Sequence, residues 1–152
     1  MKRLLILHAG QTEAGPVHAL ACAALAGAEV EAIEVKLLRA LNADIEDLLA
    51  AHAVLFVTPE KFGYMAGALK DFFDRTFYPA QGKVEGLPYA LIVGAGNDGV
   101  GAATAVARIA QGYPLKAVAE PLIVRGVPTT EDTQAAQELG AALAGGLVLG
   151  IF

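Results

Sequence analysis

Three glycine-bearing turns are where this chain of 152 residues can do chemistry. The first is His8-Ala9-Gly10-Gln11-Thr12-Glu13-Ala14-Gly15, running into a helix start at Pro16. The amides of such a turn and the positive end of the helix dipole make an anion site. Gly10 and Gly15 have the glycine spacing of a nucleoside-triphosphate loop. Pro16-Val17 stands where lysine and a hydroxyl residue are needed, which argues against triphosphate hydrolysis. A single phosphomonoester stays within reach, and a tight turn without a ligand explains the same residues. The third turn, Gly94-Ala95-Gly96-Asn97-Asp98-Gly99, matches G-x-G-x-x-G, with Glu120 near the acidic distance of a dinucleotide fingerprint. That fingerprint belongs to a first βαβ unit, whereas this turn comes late in the chain. Glycines that let backbone approach a flat ligand are the simpler reading. Between these two lies Thr58-Pro59-Glu60-Lys61-Phe62-Gly63-Tyr64-Met65.

Other chemistries are poorly supplied. There is no serine, so serine nucleophiles are excluded. His8, His18 and His52 are far apart in sequence and form no metal motif. Of them, His8 alone stands at a strand's carboxyl end, where an imidazole can donate to an anion. Cys22 has no partner for an internal disulfide, which points to a reducing, cytoplasmic setting. Net charge −5 disfavours nucleic acid, whose phosphates attract basic faces. Leu4–Leu7 is too short for a signal core, and the charge-free stretch from Leu139 to Phe152 is too short for a membrane anchor. It reads as a final helix and an apolar tail packed on the molecule or on a second subunit.

The elements that carry the turns follow from periodicity. Leu4–Leu7, Ala53–Val57 and Tyr89–Val93 are short apolar runs without alternation, as in strands buried on both faces. Glu29–Val35 mixes alternation with charge, as an edge strand does. Leu115–Val124 holds a fifth strand, interrupted by Glu120-Pro121. Helices are expected from Pro16 to Gly27, around Ile45–Leu49, through Met65, Leu69, Phe72 and Phe73, around Val106–Ile109 up to Gly112, and through Leu139 and Leu143. Asp98 is a candidate N-cap, and Thr129 with Asp132 a capping box. Lys70–Asp74 and Asp71–Arg75 are opposite charges four apart on a wet face. No hairpin signal joins consecutive strands. The pattern predicts one domain over residues 1–152: a doubly wound α/β fold, with a five-stranded parallel sheet between two helix layers. Ligands bind such sheets outside the strands' carboxyl ends, where the three turns fall.

The stretch from Thr58 to Arg75 resembles the flavodoxin-like FMN reductases and quinone reductases. That family has a strand ending in Thr-Pro, then an aromatic-Gly-x-Met turn, then Gly-x-x-Lys and Phe-x-Asp-Arg on the helix, and this chain carries each of these. The resemblance extends through Gly94–Gly99 and the order of elements. It implies a flavodoxin-like fold that holds FMN and passes electrons from NAD(P)H to a quinone or another small acceptor. It places Thr58, Pro59, Phe62, Gly63, Tyr64 and Met65 beside the isoalloxazine, and Gly94, Gly96, Asn97 and Gly99 at its other edge. The phosphate then falls to Gly10, Gln11, Thr12 and Gly15, with no metal. Relatives of this kind assemble as homo-oligomers, and no nucleic acid or membrane partner is implied.

The first turn departs from the flavodoxin pattern. Two hydroxyls of that pattern are missing, and Glu13 replaces a glycine. A carboxylate ~4 Å from one phosphate charge costs about 4 kcal/mol at an effective dielectric of ~20. Two alternatives therefore accompany the reductase reading. One is a flavodoxin-type electron carrier. The other is a binding module of the same fold that has lost FMN.

Overall fold

The computed structural model describes residues 1–152. Its framework is a parallel sheet. Strand β1 (Arg3–His8) lies between β2 (Glu34–Arg39) and β3 (Ala53–Lys61), and β5 (Pro88–Ala95) pairs with β3 on the far side. The fifth position is shared by β6 (Lys116–Ala117) and β7 (Leu122–Arg125), both parallel to β5. Glu120-Pro121 separates them, because proline cannot donate to the ladder.

Side chains alternate between two cores, as the period-two geometry of a strand requires. Leu5, Leu7, Val54, Phe56, Leu91 and Val93 pack under α2 (Ile45–Ala50), α3 (Gly67–Ala80) and α4 (Val100–Gly112). Leu4, Ile6, Leu55, Val57, Ala90 and Ile92 pack under α1 (Pro16–Ala28) and α5 (Thr130–Leu149). Both faces are therefore covered, which is why these strands are uniformly apolar. No helix is long and apolar enough to cross a membrane.

Local signals decide the element ends. Asp44 caps α2 and Thr129 caps α5, each in a reciprocal capping box with an aspartate three residues on. The Lys70–Asp74 and Arg75–Asp71 pairs on α3 close at 2.6 and 2.7 Å. Phe152 folds back onto Gly146 of α5, so the apolar tail packs on its own helix.

Three expectations need correction. The edge strand is Glu34–Arg39, not Glu29–Val35. Its register pairs Arg3 with Glu34 and Leu4 with Val35, so residues 29–33 form the bend that leads in. A hairpin does join consecutive strands: β3 runs on to Lys61 and pairs antiparallel with β4 (Tyr64–Met65). Met65 thus belongs to a strand, although its side chain is buried in the α3 core as expected.

Helices α1 and α5 meet at glycines. A Cβ on Gly140 would stand 1.9 Å from the Ala24 carbonyl oxygen, and one on Gly27 1.9 Å from that of Gln137. Gly140→Ala is therefore expected to lower stability in urea unfolding by about 1–3 kcal/mol, the range for overpacking. Gly145→Ala, five residues along the same helix, meets nothing closer than Glu31 Oε1 at 3.9 Å. It should be neutral or stabilise by up to about 1 kcal/mol through helix propensity.

Candidate functional site

Parallel pairing brings the carboxyl ends of β1, β3 and β5 to one edge, with His8 beside Val57, and Pro59 beside Gly94. Beyond His8 the chain makes one more sheet bond, Ala9 N–H to the Val57 carbonyl at 2.8 Å, and then leaves the ladder. In the first turn the Ala14 amide donates to Thr12 Oγ1 at 3.3 Å. The amides of Gly10, Gln11, Thr12, Glu13 and Gly15 donate to no acceptor in the protein. Gly15 caps α1 without a side-chain bond, Pro16 follows, and no acidic residue stands in the first helical turn. Free amides, a helix dipole and a cap that offers no competing oxygen together suit an anion. Arg39 steadies the turn by donating from Nη2 to the Gln11 carbonyl at 3.0 Å. Glu13 is exposed.

The middle segment is a rigid post. Phe62 and Gly63 form its two-residue turn with φ of 52° and 72°, the left-handed pair that a tight hairpin needs. Glycine adopts this freely; phenylalanine does so at a cost of about 1–2 kcal/mol. The Phe62 side chain is nevertheless fully exposed, so packing does not compensate. Two contacts hold the post. Buried Thr58 donates from Oγ1 to the Pro59 carbonyl at 2.9 Å and accepts from the Ala66 amide at 3.1 Å. Gly63 lies against α4, where a Cβ on Gly101 would fall 2.0 Å from the Gly63 oxygen.

The third turn is shorter than the motif, because Gly94 and Ala95 still belong to β5. Gly99, not Asp98, is the N-cap of α4, at φ 71°. Asp98 accepts from the Val100 amide at 3.0 Å, just outside the cap position. A side chain on Gly99 would meet Ile123 Cγ2 at 2.7 Å, which settles the choice of glycine. Gly96 has nothing within 4 Å and faces open space.

Two adjoining cavities lie along this edge. One, about 270 Å³, is lined by Gly10, Gln11, Thr12, Gly15, His18 and Pro59, among others. The other, about 380 Å³, reaches Gly94, Gly96, Val124 and Gly126. Pro16, Val17, Pro59 and Lys61 line both. The structure thus brings together Gly10, Gln11, Thr12, Gly15, Pro59, Gly94 and Gly96 of the sequence-predicted residues. Thr58, Met65 and Gly99 are buried behind the cavity walls. Phe62, Gly63 and Asn97 are exposed and line neither cavity. Tyr64 opens instead onto a hollow with Gly101, Thr104 and Arg108. Tyr78 lines a groove between α3 and α4, apart from this edge.

Sequence reasoning missed Arg39 and Lys61. Arg39 reaches the first turn only through the β1–β2 register, His8 opposite Arg39, which no local spacing encodes. Lys61 was visible as a cation next to the aromatic turn, but its place became readable only once β3 was seen to extend past Pro59. The first turn also stands over two imidazoles ten residues apart in sequence. His8 and His18 meet edge to face at 5.1 Å, and His18 Nε2 lies 3.4 Å from Cys22 Sγ.

The sequence model of the NADPH-dependent FMN reductases matches residues 3–124. Among solved structures, a flavodoxin from the domain Archaea superposes with a TM-score of 0.82 at 19% identity, covering 94% of this chain and 96% of that one. A flavodoxin, WrbA-like protein from Agrobacterium tumefaciens gives 0.71 at 19% identity, with 95% of each chain covered. The flavodiiron protein from Giardia intestinalis gives 0.77 at 22% identity; 95% of this chain corresponds to 35% of that longer one. No curated protein matches in sequence. At these identities the structural likeness fixes the fold as flavodoxin-like.

The post makes two stability predictions for urea unfolding. Phe62→Asn, which tolerates the left-handed region, should stabilise by about 1 kcal/mol. Thr58→Val should destabilise by about 1–3 kcal/mol, because the buried Ala66 amide loses its acceptor.

Proposed function

The chain belongs to the NADPH-dependent FMN reductase family, and on that premise we propose that it binds FMN across the two adjoining cavities and passes electrons from NAD(P)H to a quinone or other small acceptor. The observation that carries this reading is the set of free amides at Gly10–Gly15, opening on the same space as Lys61, Gly94 and Gly96. A phosphate suits the amides, the α1 dipole and the Lys61 ammonium. A flat ring suits the side-chain-free edge at Gly94 and Gly96, and the exposed Phe62 phenyl is free to stack on such a ring. FMN when bound supplies the redox chemistry; the protein supplies position and dipoles.

The residues divide that work. Gly10, Gln11, Thr12 and Gly15 hold the phosphate by backbone donors, with Arg39 fixing the turn. Glu13 weakens the hold less than burial would make it, because an exposed carboxylate acts through water; at 4 Å that is about 1 kcal/mol per charge pair. Pro59, Val17 and Val124 give the ring dry walls. A cytoplasmic homo-oligomer completes the proposal, in which Val148, Leu149 and Ile151, exposed on this chain, are covered by a second copy. A flavodoxin-type carrier is the second reading, favoured by the superposition on an archaeal flavodoxin. Potentiometry separates the two: the carrier takes electrons singly and the reductase in a pair.

Titration with FMN and with riboflavin, followed by flavin fluorescence, tests the binding. FMN is expected to bind more tightly than riboflavin. Lys61→Ala should weaken FMN about fivefold, the size of one exposed ion pair, and leave riboflavin unchanged. Glu13→Gly should strengthen FMN by a similar factor. Absence of any FMN response in the native protein would overturn the reading.

A further inference from the structure

We propose that His8 is a proton-linked positioning residue for an anion in the first turn: its imidazole takes up a proton as a phosphate monoester binds there. This rests on the first turn being the phosphate site of the proposed function. It adds a residue outside the cavity lining and a dependence on pH.

The geometry comes first. His8 ends β1 and is 98% buried, at a relative exposure of 2%. Its Nδ1 is enclosed and has no hydrogen-bond partner. A buried polar atom left unpaired is costly, so such an atom calls for an explanation. It is aimed at the turn: a Cβ placed on Gly10 would lie 3.5 Å from Nδ1 and 3.4 Å from the Thr12 carbonyl oxygen. With no side chain on Gly10, the imidazole stands against the backbone of the turn that carries the free amides. His8 therefore stands behind the turn and outside the lining of its cavity.

The charged and titratable groups facing His8 come from each element packed on it. His18 from α1 meets it edge to face, with Cys22 behind His18. Arg39 from β2 is its register partner, and Glu13 belongs to the turn itself. Its neighbour on β3 is Val57, which carries no charge. Lys61 lies across the cavity. Cations and burial thus outweigh the one exposed carboxylate. Burial chiefly, then His18 and Arg39, hold the imidazole below its ordinary range, against a smaller opposing effect of Glu13. A phosphate in the turn shifts that balance, since it adds negative charge beside a group on which cations and burial now outweigh Glu13.

The sign follows from linkage. A group whose pKa rises on binding makes affinity grow as pH falls from the bound-state to the free-state midpoint. Between those midpoints affinity changes by up to tenfold per pH unit. Above the bound-state midpoint the gain is gone.

The test is an imidazole NMR titration of the native protein from about pH 5 to 8, alone, with inorganic phosphate, with FMN and with riboflavin. His8→Asn and His52→Asn assign the three imidazole signals by elimination, so that the native His8 midpoint is read with His18 in place. Phosphate and FMN are expected to raise the His8 midpoint by ~1 pH unit, matching the tenfold change in affinity, and riboflavin to leave it in place. In flavin fluorescence, His8→Asn should then lose that part of the pH dependence of FMN affinity, while FMN's own phosphate titration persists. If FMN binds and the His8 midpoint stays fixed, or His18 moves in its place, the inference is wrong and the FMN reading stands. If phosphate moves His8 but FMN does not bind, the inference stands and the FMN reading falls. If neither phosphate nor FMN binds, both are overturned.

Discussion

Five backbone amides that the protein does not pair set the terms for the rest of the sheet edge. Buried or not, a main-chain N–H must meet an acceptor, and here only solvent or a ligand can supply it. The cause is topological. β1 sits between two parallel neighbours and parts from both after Ala9, so the residues that follow have no ladder partner. Gly15 then caps α1 without an oxygen of its own, and Pro16 brings no donor to compete. The turn is left as a set of donors backed by a helix dipole. Arg39 holds one of its carbonyls from behind.

Electrostatics decides whether that donor set is usable, and here the sequence alone misleads about magnitude. Read as text, Glu13 sits inside the loop and threatens a penalty of about 4 kcal/mol. In the structure it is exposed, and the loop is flanked by Arg39 on one side and Lys61 on the other. Water screens the carboxylate, while the two cations arrive from strands far away in sequence. The net field is set by tertiary placement, which a single loop's composition does not contain.

The same distinction separates what was legible from what was not. The doubly wound order, both helix layers and the capping box at Thr129 follow from local signals: apolar runs, helical spacing, a hydroxyl three residues before an aspartate. These are properties of a few neighbouring residues, and tertiary packing only reinforces them. The edge strand was misplaced because alternation in Glu29–Val35 resembled a half-buried strand, while register with β1 selects Glu34–Arg39. The hairpin was missed because Phe62-Gly63 is not the Asn-Gly or Asp-Gly that announces such a turn. A phenylalanine in the left-handed region is a local conflict. Conflicts of that kind are where reading from propensity fails, and they gather at functional sites. Of the candidate site, the glycines facing the cavities were readable; Arg39, Lys61 and the meeting of His8 with His18 were not, since each depends on a long-range contact.

The hairpin's conflict has a physical logic of its own. A strained exposed residue persists only where its surroundings over-determine it. Here Thr58 anchors the base of the post through the Ala66 amide, and the Gly63–Gly101 approach fixes its tip against α4. The tip cannot relax without separating two backbones that touch through glycines. What this rigidity secures is a phenyl ring held in water at the tip of the post, where the hydrophobic effect would otherwise fold it down. An aromatic surface held open in advance loses little conformational freedom when a flat molecule covers it. The first turn, by contrast, is fastened to the rest of the protein through few hydrogen bonds and carries exposed side chains. One half of the edge is thus rigid on its own, and the other half keeps donors that the protein leaves unpaired. The rigid half suits a shape and the donor-rich half suits a charge, the two things that a ring bearing a phosphate brings together.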